Sequence, residues 1–317
     1  MIITVTLNPA VDKTINIDSF KINSVNRVWK SRKDAGGKGI NVSKVLMELG
    51  ENSVATGFLG GETGLAIKHY MEKIKINDKF ITVAGETREN LKIVDPENNT
   101  FTDINDIGPS INNNNIDLLK KTIHELTVEN ELIVFSGSIP IGCPEEIYKE
   151  LIEIAHKNDA YVILDTYGKP FKLALDGKPD LIKPNIEELE AYFNQKLEKI
   201  DEIVNIVQNK IIPKGIPSVV VSLGVEGALL INKDYYYKTT GLKVKVESTV
   251  GAGDAMVAGI AFSIKNNFDS KLQLLYGSAA ATGNIMTPGT QTGDIETIKA
   301  LLEKISIKKE MTSNENN

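Results

Sequence analysis

The residues best suited to chemistry are the run Thr249-Val250-Gly251-Ala252-Gly253-Asp254, which opens directly into a stretch of small, helix-compatible residues. Glycines let a backbone approach an anion closely, and the unpaired amides at a helix start favour negative charge there. Gly251, Ala252 and Gly253 therefore read as an anion cradle. A carboxylate at its edge would repel phosphate if it served binding alone, so Asp254 reads as a general base that takes the proton of an attacking hydroxyl. Phosphoryl transfer depends mainly on positioning and charge neutralisation, and an aspartate suffices for it. The structural alternative is an acidic residue that complements its own helix dipole.

Other positions offer complementary groups. In Gly36-Gly37-Lys38-Gly39-Ile40-Asn41, glycines again precede a helical pattern, and Gly37, Lys38 and Asn41 present a close backbone, a cation and an amide to an anionic polar ligand. Asp12 follows a buried-type strand and can accept from two sugar hydroxyls, although an aspartate in a proline-initiated turn explains it equally well. Strand alternation puts Arg88, Asn90 and Lys92 on one face, with Arg27 on the neighbouring segment able to join them; a solvated face would show the same alternation. Lys183-Pro184-Asn185-Ile186-Glu187-Glu188 allows two roles. Asn185 and Glu188 have capping-box spacing, and they could also order water around Mg²⁺ on ATP phosphates while Lys183 approaches phosphate. Ser222, Gly224 and Gly227 suit either a nucleotide-facing backbone or a hairpin turn. Asn284 ends a small-residue helix that fits an adenine or another helix.

Known phosphate motifs fail. There is no G-x-x-x-x-G-K-[ST], the third glycine of a dinucleotide fingerprint is missing after Gly253, and the protein-kinase signatures are absent.

These residues must be positioned by something, and the hydrophobic pattern says what. β-Type runs recur at 2–7, 54–59, 132–136, 161–165, 181–183 and 218–223, mostly separated by helix-period segments such as 144–157. Alternating strand and helix predicts an α/β fold with a mainly parallel sheet, in which ligands sit beyond the carboxyl ends of the strands. Segments 13–33 and 87–104 read instead as paired strands, a small β-lid over the site. The main domain is then 1–12, 34–86 and 105–307. The asparagine run 112–115 reads as solvated, and 308–317 as a disordered tail.

Composition excludes several classes. With 36 Lys+Arg against 42 Asp+Glu, the net charge of −6 argues against nucleic-acid binding. One cysteine cannot form an intrachain disulfide, and the three scattered histidines suggest no zinc site. No window is apolar enough to span a membrane and the N-terminus is not a signal peptide, so a cytoplasmic protein is expected.

Taken in order, Gly36-Gly37-Lys38-Gly39-x-Asn41, Lys183-Pro184-Asn185-x-x-Glu188, Ser222-Leu223-Gly224-x-x-Gly227 and Thr249-x-Gly251-Ala252-Gly253-Asp254 resemble the ribokinase-like sugar kinases, in the phosphofructokinase B branch, along nearly the whole chain. The resemblance implies a three-layer α/β/α sandwich with a β-sheet lid, ATP and Mg²⁺ as cofactors, and a homodimer formed through the lid. It implies Asp254 as base, the Gly251–Gly253 amides as anion hole, and Asp12, Lys38, Asn41 and Arg88 as sugar-phosphate contacts. Lys183, Asn185, Glu188, Ser222, Gly224, Gly227, Thr249 and Asn284 fall on the nucleotide side. Leu7-Asn8-Pro9-Ala10-x-Asp12, Thr87-Arg88-x-Asn90-x-Lys92 and Thr102-Asp103-Ile104-Asn105 point to a ketose phosphate acceptor, fructose 1-phosphate first and tagatose 6-phosphate next. Tyr167 departs from the branch, which usually has a small serine there. A sensor that binds these ligands without turnover is the competing reading.

Overall fold

The computed structural model describes residues 1–127 and 131–311. Among them the strands are β1 (Ile2–Thr6), β2 (Ala10–Asn16), β3 (Lys30–Gly36), β4 (Ser53–Gly60), β5 (Asn77–Asp78), β6 (Ile81–Val83), β7 (Arg88–Asp95), β8 (Thr100–Ile104), β9 (Leu132–Ser136), β10 (Tyr161–Asp165), β11 (Leu181–Ile182), β12 (Ser218–Ser222), β13 (Ala228–Ile231), β14 (Tyr235–Thr239) and β15 (Ile307–Met311). The helices are α1 (Lys38–Glu48), α2 (Gly61–Lys73), α3 (Asn113–Leu126), α4 (Ile147–His156), α5 (Gly168–Ala174), α6 (Ile186–Phe193), α7 (Ile200–Lys210), α8 (Ala252–Lys265), α9 (Ser270–Ile285) and α10 (Ile295–Leu302).

The large sheet runs β15-β14-β13-β12-β11-β10-β9-β1-β4-β5, with β6 paired to β4. Its centre, from β12 through β1 to β4, is parallel, and only the β12-to-β15 flank is antiparallel. The central strands are apolar throughout because both faces are covered. Alternate residues go to opposite layers. Ile3, Val5 and Ile133 pack with α3, α4, α5 and α7, whereas Ile2, Leu132 and Val134 pack with α1, α8, α9 and α10. This is the expected α/β/α sandwich, and it brings the ends of β1, β9, β10 and β11 to one edge.

The lid is a separate four-stranded sheet, β3-β2-β7-β8. Its small apolar cluster is Ile15, Ile17 and Ile93 with Phe20 and Leu91, and β8 is exposed along its whole length.

Two boundaries differ from those expected. Asp12 lies inside lid strand β2, opposite Asp34 and Asn90, and not at the end of β1. Residues 308–311, assigned to the tail, belong to edge strand β15 on β14; residues 312–317 lie outside the described part. The asparagine run is largely exposed, and Asn112 and Asn115 form the capping box that starts α3.

Candidate active site

The geometry around Asp254 begins with Gly251, the cap of α8, whose φ of 81° suits glycine. Asp254 in the first turn is buried, and Asn41 Nδ2 donates to its Oδ2 at 2.8 Å. Burial pushes the Asp254 carboxyl up to about 6; Lys38 pulls it down and Asp165 adds to the rise. A carboxylate that titrates near 6 is ionised at neutral pH yet basic enough to accept a proton.

Asp165, absent from the candidates drawn from the sequence, is the hub of the cluster. It ends β10, is 1% exposed, and holds Lys38 Nζ at 3.2 Å and Lys183 Nζ at 3.4 Å. Burial alone would raise its carboxyl, but Lys183 and Lys38 together hold it below the usual carboxylate range. Lys38 is in turn opposed by burial but lifted above an ordinary lysine by Asp165, Asp254 and Glu188. Lys183 Nζ stands 3.4 Å from where a Cβ on Gly253 would be, so its ammonium lies against the start of α8. Two ammonium groups and a helix N-terminus thus converge beside Asp165 and Asp254, an arrangement that favours an anion.

A second polar cluster is built by the lid. Asn90 Nδ2 donates to Asp12 Oδ1 at 2.9 Å, and a side chain at Gly36 would collide with the other Asp12 oxygen. Burial raises the Asp12 carboxyl, against the Asn90 bond and the cations Lys44, Arg88 and Lys92. Arg88 donates through Nη2 and Nε to Asn8 O at 2.8 and 3.2 Å and through Nη1 to Asp106 O at 3.3 Å. These partners are neutral carbonyls; among the described residues no carboxylate contacts the guanidinium, and its charge stays open to an anion. Gly37, with φ of 115°, caps α1 where a Cβ would stand 2.7 Å from the Thr6 methyl.

Asn41 donates one amide hydrogen to Asp254, and its Oδ1 is buried without a partner among the described residues. One expectation changes here: Arg27 does not join Arg88. It sits exposed in the segment beyond Asn16, past the end of β2 remote from the site, and β2 from Asp12 to Asn16 alone spans roughly 13 Å at ~3.3 Å per residue. Lys92 is taken by Asp103 at 3.3 Å across the β7–β8 pair.

Asn185 and Glu188 form the capping box of α6, with Asn185 N donating to Glu188 Oε2 at 2.9 Å and Glu188 N to Asn185 Oδ1 at 2.7 Å. Gly224 and Gly227, at φ of 60° and 105°, make the β12–β13 hairpin turn, and Ser222 N bonds Pro184 O. Thr249 is exposed just ahead of the cradle. The Asn284 amide donates to Gln291 O at 2.6 Å, and its Oδ1 is buried without a partner, facing Gly251. The small residues of α9 serve close helix contact, since a Cβ on Gly259 of α8 would strike the Tyr276 backbone. Among the described residues no group of three or more His, Cys, Asp or Glu side chains is placed to hold a metal.

One turn along α1 from Asn41, Lys44 is buried with Nζ donating to Ala35 O at 2.9 Å and Thr290 O at 3.2 Å. Burial pushes this lysine down to about 8, against the raising effect of Asp34, Asp12 and Asp254.

A buried carboxylate beside two ammonium groups and a helix start is suited to phosphoryl transfer onto an alcohol. The chain belongs to the pfkB family of carbohydrate kinases, whose model matches residues 5–298. It is 38% identical over 287 residues to a 1-phosphofructokinase of Borreliella burgdorferi, covering 90% of this chain and 92% of that protein. Phosphofructokinase-2 from Escherichia coli superposes with a TM-score of 0.91 at 27% identity over 96% of this chain and 98% of that one, in the crystal structure with substrates and products. Its tetrameric inhibited form superposes with a TM-score of 0.88 at 26% identity over the same shares. The enzyme is therefore a phosphotransferase acting on a sugar hydroxyl. No helix among the described residues is long and apolar enough to cross a membrane.

Proposed function

We propose that the chain transfers the terminal phosphoryl group of ATP to fructose 1-phosphate, giving fructose 1,6-bisphosphate and ADP. The observation that carries this reading is Asp254, buried, hydrogen-bonded by Asn41 and set at the start of α8 with Lys38 and Lys183 close by. Asp254 takes the proton of the acceptor hydroxyl as its oxygen bonds to the γ-phosphorus, the bond to the bridging oxygen breaks, and ADP leaves with that electron pair. The Gly251–Gly253 amides, Lys38 and Lys183 hold the charge that develops, with Asp12 and Asn90 on the acceptor's hydroxyls and Arg88 on its phosphate. Mg²⁺ bound with ATP would be reached from Glu188 and Asn185 through water, and would supply screening of the phosphate charge. The likeness to the B. burgdorferi enzyme favours fructose 1-phosphate. ADP release measured across fructose 1-phosphate, fructose 6-phosphate, tagatose 6-phosphate, ribose and adenosine tests the reading. A higher kcat/KM for tagatose 6-phosphate or fructose 6-phosphate would replace the substrate, and ligand binding with no turnover on any of them would make the protein a sensor.

Arg88→Ala is expected to raise KM for the sugar phosphate about ten- to a hundredfold, the value of a hydrogen bond to a charged group, with KM for ATP unchanged. A change confined to the ATP KM would reverse the two sides of the site.

A homodimer through the lid is part of this reading. Val25, Trp29, Phe101 and Ile104 are exposed apolar side chains of the lid strands and the loop before β3, surface that a second copy would cover, and Arg27 would then meet that copy and not its own sugar site. Phe101→Asp should convert a dimer to a monomer in sedimentation velocity. A wild-type monomer at micromolar concentration would remove the dimer from the reading.

A further inference from the structure

The loop that follows β10 holds a side chain for which the catalytic reading has no use. Its backbone is fixed: Gly137 N donates to Asp165 O at 3.0 Å, Thr166 Oγ1 donates to Gly137 O at 2.8 Å, and Tyr148 Oη donates to Gly137 O at 3.0 Å. Asp165 and Thr166 are 1% and 2% exposed, yet the next residue, Tyr167, is 49% exposed. A large aromatic on an anchored backbone, at the edge where the sheet gathers its ligands, is not slack in a loop. The Tyr167 ring lies 5.7 Å from Lys38 Nζ, within cation–π range, and among the described residues its hydroxyl bonds to nothing. Tyr167 thus stands against Lys38, whose ammonium Asp165 holds at 3.2 Å.

We propose that Tyr167 is a specificity-determining residue of the acceptor site, its ring capping Lys38 and its free hydroxyl donating to the phosphate of the sugar. The inference rests on the sugar-phosphate reading above. The ring covers one side of the Lys38 ammonium against water while Asp165 holds another, which keeps the cation aimed into the site. The hydroxyl, with no protein partner among the described residues, exchanges water for the phosphate and gives a phosphorylated acceptor a charge-assisted bond that a plain sugar cannot match.

The test separates ring from hydroxyl. Tyr167→Phe is expected to raise KM for the preferred ketose phosphate about tenfold, as a lost bond to a charged group should, with kcat and the ATP KM within twofold of wild type. Tyr167→Ser removes the ring as well; it should raise that KM further and shrink the kcat/KM preference for phosphorylated over unphosphorylated sugar at least tenfold. Because the side chain is half exposed, thermal midpoints of both variants should stay close to wild type; should Tyr167→Ser not fold, Tyr167→Phe decides alone. Acceptor KM values within twofold of wild type, or an effect on ATP instead, overturn the proposal while wild-type turnover of a ketose phosphate leaves the enzyme reading standing. Absence of that wild-type turnover removes both.

Discussion

Asp254→Asn should lower kcat by about two to four orders of magnitude, the usual contribution of a positioned base, while the dissociation constants of sugar phosphate and nucleotide stay near wild type. The substitution keeps shape and leaves Asn41 Nδ2 an oxygen to bond, so what disappears is the ability to take a proton. Two further measurements separate this from a general disturbance. In the wild type, kcat/KM should fall on the acid side with a midpoint near 6, where burial has placed the carboxyl, and that limb should be missing from the residual activity of the variant. Stability carries the opposite sign. A carboxyl raised in the native state binds its proton more readily folded than unfolded, so it opposes folding increasingly as pH rises from the ordinary aspartate range through about 6. Above that, Asp254→Asn should melt higher than wild type, and below about pH 4 the difference should vanish. Near-wild-type turnover would sink the proposed base outright.

Removing the carboxylate at the hub should do the reverse. Asp165→Asn leaves Lys183, 5% exposed, without its anion and takes one from Lys38, so unfolding free energy should drop by about 3–5 kcal/mol, the loss seen when one partner leaves a buried ion pair. Turnover should fall too, by about a hundredfold or more, because the two ammonium groups lose the group that aims them. Adding Lys183→Met should recover much of the stability and none of the activity. Asp165 is thus a positioning residue. Urea unfolding decides: a single variant within 1 kcal/mol of wild type, or a double variant no better than the single, would mean that the lysines are held by something else.

The reach of sequence reasoning follows from how local each signal is. The central strands declare themselves because double-sided burial makes them apolar without interruption, as in β1 and β9. Gly251 and Gly37 are legible because positive φ and close approach restrict the choice of residue. Asp165 was hidden. An aspartate before Thr-Tyr-Gly looks like a turn residue, and Lys38, 127 positions earlier, reveals nothing of the contact until the sheet is assembled. Asn41 was read by its chemistry, an amide suited to a ligand, and the sequence has no mark of a bond to Asp254 made 213 residues away. The Asn185–Glu188 box was visible because capping acts within one turn. Edge strand β15 was missed because Lys308 and Lys309 have the polarity of a tail, although charged residues are also what keeps an exposed sheet edge from recruiting other chains.

Lys44 ties together two parts of the molecule that are proposed to serve different ligands. Its ammonium grips Ala35, next to the Gly36–Lys38 turn at the foot of the lid, and Thr290, in the loop that supplies Gln291 to Asn284. The same loop presses on the lid, where a side chain at Gly289 would run into Arg32. A displacement at either end is therefore felt at the other through one shared cation. By reciprocity, any change that acceptor occupancy makes in nucleotide affinity through this joint is matched by an equal factor in the opposite direction, so the order in which the two substrates arrive leaves the final complex equally stable.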